Sequence, residues 1–177
     1  LFVWLRDTAE GIVGELYKKD LQGTYWDMNA WMKNLTKEGD VTFPNGKKPE
    51  KLLKQIIEMT TSIGDIVLDS FLGSGTTVAT AHKLDRKWIG IEMGEQAYTH
   101  CKVRLDNVIN GEQGGISKEV NWQGGGGYKF YELADPLLVK NPDLPIYQIN
   151  PSYTWDMVCE AICKIEGFTY APSGEFQ

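Results

Sequence analysis

Residues Asp65 to Thr77, Asp-Ile-Val-Leu-Asp-Ser-Phe-Leu-Gly-Ser-Gly-Thr-Thr, constrain the fold more than any other stretch of this chain. Ile66, Val67 and Leu68 form a short apolar run rich in β-branched residues, the pattern of a buried parallel strand. Asp69 stands where that strand ends. Gly73-Ser74-Gly75 supply a tight turn without Cβ obstruction, and Thr76 to Leu84 has helical composition. Strand, glycine turn and helix in this order present a nucleotide-like ligand at the carboxyl edge of an open α/β sheet. Trp88 to Ile91 predicts a second strand, followed by Glu92, 23 positions after Asp69. A carboxylate at that tip is placed to bond a free ribose diol and would repel a 2′-phosphate.

The flanking residues extend the unit on both sides. Pro49 opens a predicted helix through about Thr60, with Leu52, Leu53, Ile56 and Ile57 on one stripe. A second helix is expected from about Glu95 to Ile109, burying Ala97, Cys101, Leu105 and Val108. Past Gly111 the composition changes. Gly124 to Gly127 stand before an expected strand, Tyr128 to Leu133, and no Lys-Ser/Thr follows them. A hairpin or domain-edge turn is therefore favoured over a phosphate cradle. Asn150-Pro151-Ser152-Tyr153 precedes a helical stretch, Trp155 to Glu166, so a turn that starts a helix is its simplest reading. There is no internal repeat.

The residues of the glycine loop carry a family resemblance. Asp69-Ser70-Phe71-Leu72-Gly73-Ser74-Gly75-Thr76-Thr77 resembles the S-adenosylmethionine motif of amino-directed DNA methyltransferases, D-x-F-x-G-S-G-T-T. Phe43 to Leu53 is similar to the segment that precedes this motif in the β-type order, where the catalytic motif and target recognition come first. Gly115-Ile116-Ser117 and Val120 to Tyr128 resemble the tail of type III restriction-modification methylase subunits.

The fold that this implies is α/β: a partial Rossmann-like S-adenosylmethionine-dependent methyltransferase fold with a carboxyl-terminal extension. Residues 1–42 would end a recognition region or link it to the core, 43–111 would bind the cofactor, and 112–177 would form the extension. By the same resemblance Asp69 meets the methionine ammonium, and the backbone around Phe71, Gly73, Ser74, Gly75, Thr76 and Thr77 wraps the amino-acid part. Glu92 takes the ribose hydroxyls, Met93 covers an adenine face, and Lys48 and Pro49 line the carboxylate end. Two readings of Lys48 stand, a cofactor contact or a solvated charge; for Met93 the alternative is core packing.

One departure limits the expectation. The family's Asp/Asn/Ser-Pro-Pro-Tyr/Phe/Trp tetrapeptide is missing, since the chain has no Pro-Pro dipeptide. Asn150, Pro151 and Tyr153 are the nearest candidates, but they follow the cofactor loop and Ser152 replaces the second proline. The sequence also begins Leu1-Phe2-Val3-Trp4. The expectation is the carboxyl-terminal, cofactor-binding part of an adenine-N6 methyltransferase, inactive by itself. An N4-cytosine enzyme, a non-catalytic cofactor-binding or assembly module, and, less well supported, an RNA or small-molecule methyltransferase stand as alternatives. The implied partners are DNA, a restriction subunit and a second copy of the chain, in the cytoplasm of a bacterium or archaeon.

Composition sets outer bounds. The 177 residues are 42% hydrophobic with six tryptophans, enough apolar mass for a core, and mean hydropathy is −0.32. No apolar run approaches eighteen residues, so no membrane-spanning helix is expected. Cys101, Cys159 and Cys163 are too few and too irregular for a disulfide framework, and buried thiols are expected over a metal site. Net charge is −6. The basic clusters Lys47, Lys48, Lys51, Lys54 and Lys83, Arg86, Lys87 read as solvated helix faces rather than a DNA groove.

Overall fold

The computed structural model describes residues 9–12, 15–18, 23–33 and 35–172, so the start of the expected 1–42 segment lies outside the described residues. Two compact units divide the chain, Leu1–Gly127 and Tyr128–Gln177.

The first unit is built around a βαβ element. Strand β3 (Ile66–Asp69) pairs in parallel with β4 (Lys87–Gly90), and helix α2 (Thr76–Lys83) connects them. The register Ile66↔Lys87, Val67↔Trp88, Leu68↔Ile89, Asp69↔Gly90 sends alternate side chains to opposite faces. Val67 and Trp88 pack against a core of Ile57, Ala81, Leu84 and Ile116. Helix α1 (Glu50–Thr60) contributes Ile57 to that core, while Ile56 on the predicted stripe is largely exposed. Arg86 ties the ends of both helices together, donating from Nη2 to Thr61 O (2.9 Å) and from Nη1 to Leu84 O (2.8 Å). A short hairpin, β1 (Ala9–Ile12) with β2 (Glu15–Lys18), precedes all of this.

The helix expected at Glu95 to Ile109 forms in two parts. A wide π-type turn, Ala97–Lys102, runs directly into α3 (Val103–Ile109), with Cys101, Leu105 and Val108 buried as the periodicity predicts. The tetraglycine run closes this helix. Gly125 N donates to Ile109 O at 2.8 Å, Trp122 Nε1 donates to Val108 O at 2.7 Å, and His82 Nε2 lies 3.0 Å from Gly125 O. A Cβ on Gly126 would sit 2.7 Å from the His82 ring, so only glycine permits this approach. Trp88 Nε1 donates to His82 Nδ1 at 3.2 Å, which leaves the proton of a neutral ring on Nε2, facing that carbonyl.

The second unit holds a hairpin and a helix. Strand β5 (Leu138–Lys140) pairs antiparallel with β6 (Tyr147–Ile149), and Asn141 Oδ1 shapes the loop by accepting from Asp143 N (2.9 Å) and Leu144 N (3.0 Å). Helix α4 (Trp155–Ile165) is N-capped by Thr154, whose side chain accepts from Met157 N. Cys159 and Cys163 are half-buried free thiols on it. The strand expected at Tyr128 to Leu133 is not formed: those residues are irregular, and Leu133 and Tyr131 are exposed.

The expectation of solvated basic faces fails at two positions. Lys47 and Lys83 are buried. Lys47 Nζ donates to Val41 O at 2.6 Å and to Glu38 O at 2.5 Å, closing the broken 3-10 turn Leu35–Asp40. Lys83 Nζ donates to Glu50 Oε2 at 2.8 Å and also pairs with Glu112. Arg104, fully buried, donates from Nη2 to Glu50 Oε1 at 2.7 Å and lies 3.6 Å from Glu38 Oε2. Glu50 Oε2 also accepts from Ile116 N at 3.1 Å. One carboxylate thus joins α1, α2, α3 and the segment after Gly111. Burial alone pushes the Glu50 carboxyl up, but Arg104 and Lys83 outweigh it and hold the group below the ordinary carboxylate range. Glu38 goes the other way, raised by burial and then by the neighbouring Glu50 charge.

Two outcomes follow from this packing. Glu50→Gln removes the carboxylate that Lys83 and Arg104 share, leaving them Glu112 and the more distant Glu38, and is expected to cost about 3 kcal/mol at neutral pH in urea unfolding, the lower end for a broken buried pair. Glu50's folded value lies below its unfolded value of about 4.3, so its stabilisation is full above that pH and is lost as pH falls through the folded value. The gap between variant and wild type should therefore narrow in acid; a gap that stays constant from pH 7 to pH 3 contradicts the charge assignment. Second, Ile66, Leu68, Ile89 and Ile91 leave the sheet face opposite the helices 50–63% exposed, an apolar patch of the kind that associates. Light scattering of the chain should show self-association that Leu68→Lys with Ile89→Lys abolishes.

Candidate functional site

The carboxyl ends of β3 and β4 lie side by side, and nine of the expected site residues cluster there. Ile91 N donates to Asp69 O at 2.9 Å and Leu72 N to Ile91 O at 3.0 Å, so the pairing continues past both strands and brings the two following loops together. The loop after β3 turns at Leu72 to Gly75, where Gly75 N donates to Leu72 O at 2.9 Å. Gly75 N-caps α2 with φ +76°, and a Cβ there would meet the Cys101 backbone at 3.3 Å. Both the left-handed backbone and the close approach require glycine.

Two carboxylates face this loop. Asp69 Oδ1 accepts from Phe71 N at 3.0 Å, which folds the chain back at the strand end. Glu92 spans both loops: Oε2 accepts from Gly73 N at 2.7 Å and Oε1 from Gly94 N at 2.9 Å. An ionised carboxylate has about four acceptor sites, so each oxygen keeps capacity for a hydroxyl donor. Phe71 and Met93 are 90% and 99% exposed, one from each loop, flanking the carboxylates in sequence. Met93 is therefore not in the core. Thr77 is half-buried, and Ser74 and Thr76 are buried with their hydroxyls 3.2 Å apart.

Lys48 and Pro49 stand directly before α1. Pro49 is buried directly before α1, and its carbonyl accepts from Leu52 N at 3.1 Å. Lys48 is exposed, its neighbour Lys47 being the buried one. The carbonyl side of the loop meets the helix that follows β4. Cys101 Sγ donates to Gly73 O at 3.2 Å, and Arg104 Nη1 donates to Thr76 Oγ1 at 2.8 Å and lies 3.4 Å from Ser74 O. Burial, then the Glu92 charge, pushes the Cys101 thiol up to about 11, so it remains a protonated donor at neutral pH.

Sequence reasoning missed Glu38, Glu50, Lys83, Arg104 and Glu112. One signal was present. Arg104 falls on the apolar stripe of Cys101, Leu105 and Val108 at helical spacing, and a charge on such a stripe is buried with a partner. Glu50 offered no comparable cue, because an acidic first turn reads as an ordinary helix-dipole partner.

In the second unit, Asn150, Pro151 and Tyr153 lie in the turn before α4. Asn150 Oδ1 accepts from Ser152 N (3.0 Å) and Ser152 Oγ (2.8 Å), and its Nδ2 donates to Pro136 O (3.1 Å). Tyr153 OH donates to Asp135 O at 2.5 Å. Their polar groups serve the turn itself. Among the described residues no group of His, Cys, Asp or Glu is arranged to hold a metal, and no helix is long and apolar enough to cross a membrane.

Comparison with known proteins places this geometry. A family model described as DNA methylase, of the N6/N4 methyltransferase type, matches residues 12–103. The probable type III restriction-modification enzyme HindVI Mod subunit of Haemophilus influenzae is 51% identical over 135 residues, 76% of this chain and 18% of that protein. The type II methyltransferase M.BamHI of Bacillus amyloliquefaciens is 61% identical over 60 residues, 34% of this chain and 13% of its own length. The type II methyltransferase M.HpaI of Haemophilus parainfluenzae is 42% identical over 65 residues, 37% of this chain and 21% of its own. The chain thus spans about a fifth or less of the length of these relatives. With more than half of its residues inside the matching model, and the glycine loop and both carboxylates among them, the chain belongs to the DNA methylase family.

Proposed function

We propose that this chain holds the S-adenosylmethionine site of an adenine-N6 DNA methyltransferase from a restriction-modification system, and that its βαβ element is part of a Rossmann-like sheet. The observation that carries the reading is the pair of carboxylates at adjacent strand ends around an amide-lined glycine loop. The residues fit the cofactor by type. Glu92 keeps acceptor capacity for a diol, Asp69 offers an anion for an ammonium, and Phe71 and Met93 present apolar surface to a purine. Lys48, exposed beside Pro49, suits a carboxylate.

If bound here, S-adenosylmethionine would supply an electrophilic methyl group on a positive sulfonium, with Asp69 and Glu92 as the residues that would hold it. A sulfonium leaving group needs no acid catalysis, so the protein's task is to place the reactants. Asp69 would take the ammonium and Glu92 the ribose hydroxyls, with the loop whose amides they hold between them. Among the described residues Asn150 and Tyr153, the nearest candidates for holding a flipped base, are engaged in their own turn. DNA contact falls to other parts of the enzyme as well, because the net charge is −6 and Lys47 and Lys83 point inward. A restriction subunit would be the natural assembly partner of such a protein.

Calorimetric titration of S-adenosylmethionine into the chain tests the site. Saturable binding is expected, and Glu92→Ala should weaken it by about 1–3 kcal/mol, the scale for a lost partner of buried polar groups. Phe71→Ala should weaken it by about 1–3 kcal/mol if the ring stacks on a base. A folded chain that gives no saturable heat sinks the reading.

A further inference from the structure

We infer that Arg104 is a positioning residue for the cofactor loop, holding it in its binding shape from below through Thr76 and Ser74; this rests on the cofactor site proposed above. Arg104 lies outside the glycine motif and its side chain does not face the strand ends. One nitrogen of its fork, Nη1, meets Thr76 Oγ1 at 2.8 Å and lies 3.4 Å from Ser74 O. The other, Nη2, meets Glu50 Oε1 at 2.7 Å. Glu50 is itself fixed by Lys83 Nζ at 2.8 Å and by Ile116 N at 3.1 Å. The guanidinium therefore links the loop to a carboxylate anchored at two further points of the fold.

The geometry is specific to arginine. A planar fork addresses two acceptors at once, whereas an ammonium on a flexible stem cannot hold both in fixed directions. Arg104 is fully buried, and its Nε has no hydrogen-bond partner among the described residues. A fold that needed only a counter-charge for Glu50 already has Lys83. What Arg104 adds is the bond to Thr76, which sets the start of α2 and hence the direction of the loop amides. Cys101, three positions earlier on the same helix face, bonds Gly73 O from the same side, while Glu92 bonds Gly73 N. The loop is thus gripped on its carbonyl side by two residues of one helix, and the π-type turn that precedes α3 aligns both, a form of irregularity common at functional sites. Preorganised donors lose less freedom when a ligand binds.

The test combines S-adenosylmethionine titration with hydrogen–deuterium exchange of residues 70–77 in the full chain. Arg104→Lys should weaken binding about tenfold or more and speed loop exchange, with exchange in β3 and the middle of α1 unchanged. Thr76→Val keeps the Glu50 pairs and should give the same two effects, so the inference stays testable if Arg104→Lys does not fold. Thr76→Ser, which retains the hydroxyl, should restore affinity. The double variant Arg104→Lys with Thr76→Val should be no weaker than the worse single one, because both remove the same bond. If wild type binds and Thr76→Val binds equally well with an unaltered loop, the inference is overturned while the cofactor site stands. If folded wild type does not bind at all, the proposed site fails and the inference fails with it.

Discussion

The buried carboxylate of Glu50 is the interaction on which the first unit depends. It receives Lys83 from α2, Arg104 from α3 and the amide of Ile116 from the segment beyond Gly111. Apolar contacts are centred on Ile57, Ala81, Leu84 and Ile116, with Leu53, Val67, Trp88 and Val120 packed against them. Such a core has little power to choose among similar packings, because dispersion and hydrophobic burial are non-directional. Charge-assisted hydrogen bonds are directional, so the pairs fix how the helices rotate against one another. The cost of burying these charges is offset only while every partner is present.

The same network connects structure to chemistry. From Glu50 it passes through Arg104 to Thr76 at the start of α2, the residue that follows the glycine turn. Glu92 accepts from both Gly73 N and Gly94 N, so one carboxylate ties the loops after β3 and β4 together. The cofactor role proposed for the strand ends and the packing beneath them would thus share one short loop, beside which Phe71 and Met93 remain almost wholly exposed.

Several sequence expectations rest on local chemistry and were legible for that reason. The β3 and β4 runs, the glycine turn, helix α1 after Pro49 and helix α4 after Thr154 follow from periodicity, caps and φ preferences. The strand expected at Tyr128 to Leu133 is irregular in the structure, because β propensity reflects tertiary context more than the residues themselves. Gly124 to Gly127 were expected in a hairpin or domain-edge turn, and in the structure Gly125 closes α3 and meets His82, far away in sequence.

The sequence by itself determined the order strand, glycine loop, helix, strand and the carboxylates at Asp69 and Glu92, because φ preference, side-chain period and charge belong to single residues and their near neighbours. It also determined that the chain belongs with the DNA methylases, since that match reads residues in order. Only the tertiary structure decided which charges face inward. Lys47 and Lys48 are adjacent and chemically identical, yet one closes a turn in the interior and the other meets solvent. Glu50, Lys83 and Arg104 are separated by 33 and 54 positions from the first to the others, and nothing local marks the three as partners. Burying a charge is favourable only against a partner already in place, and that is a property of the assembled fold.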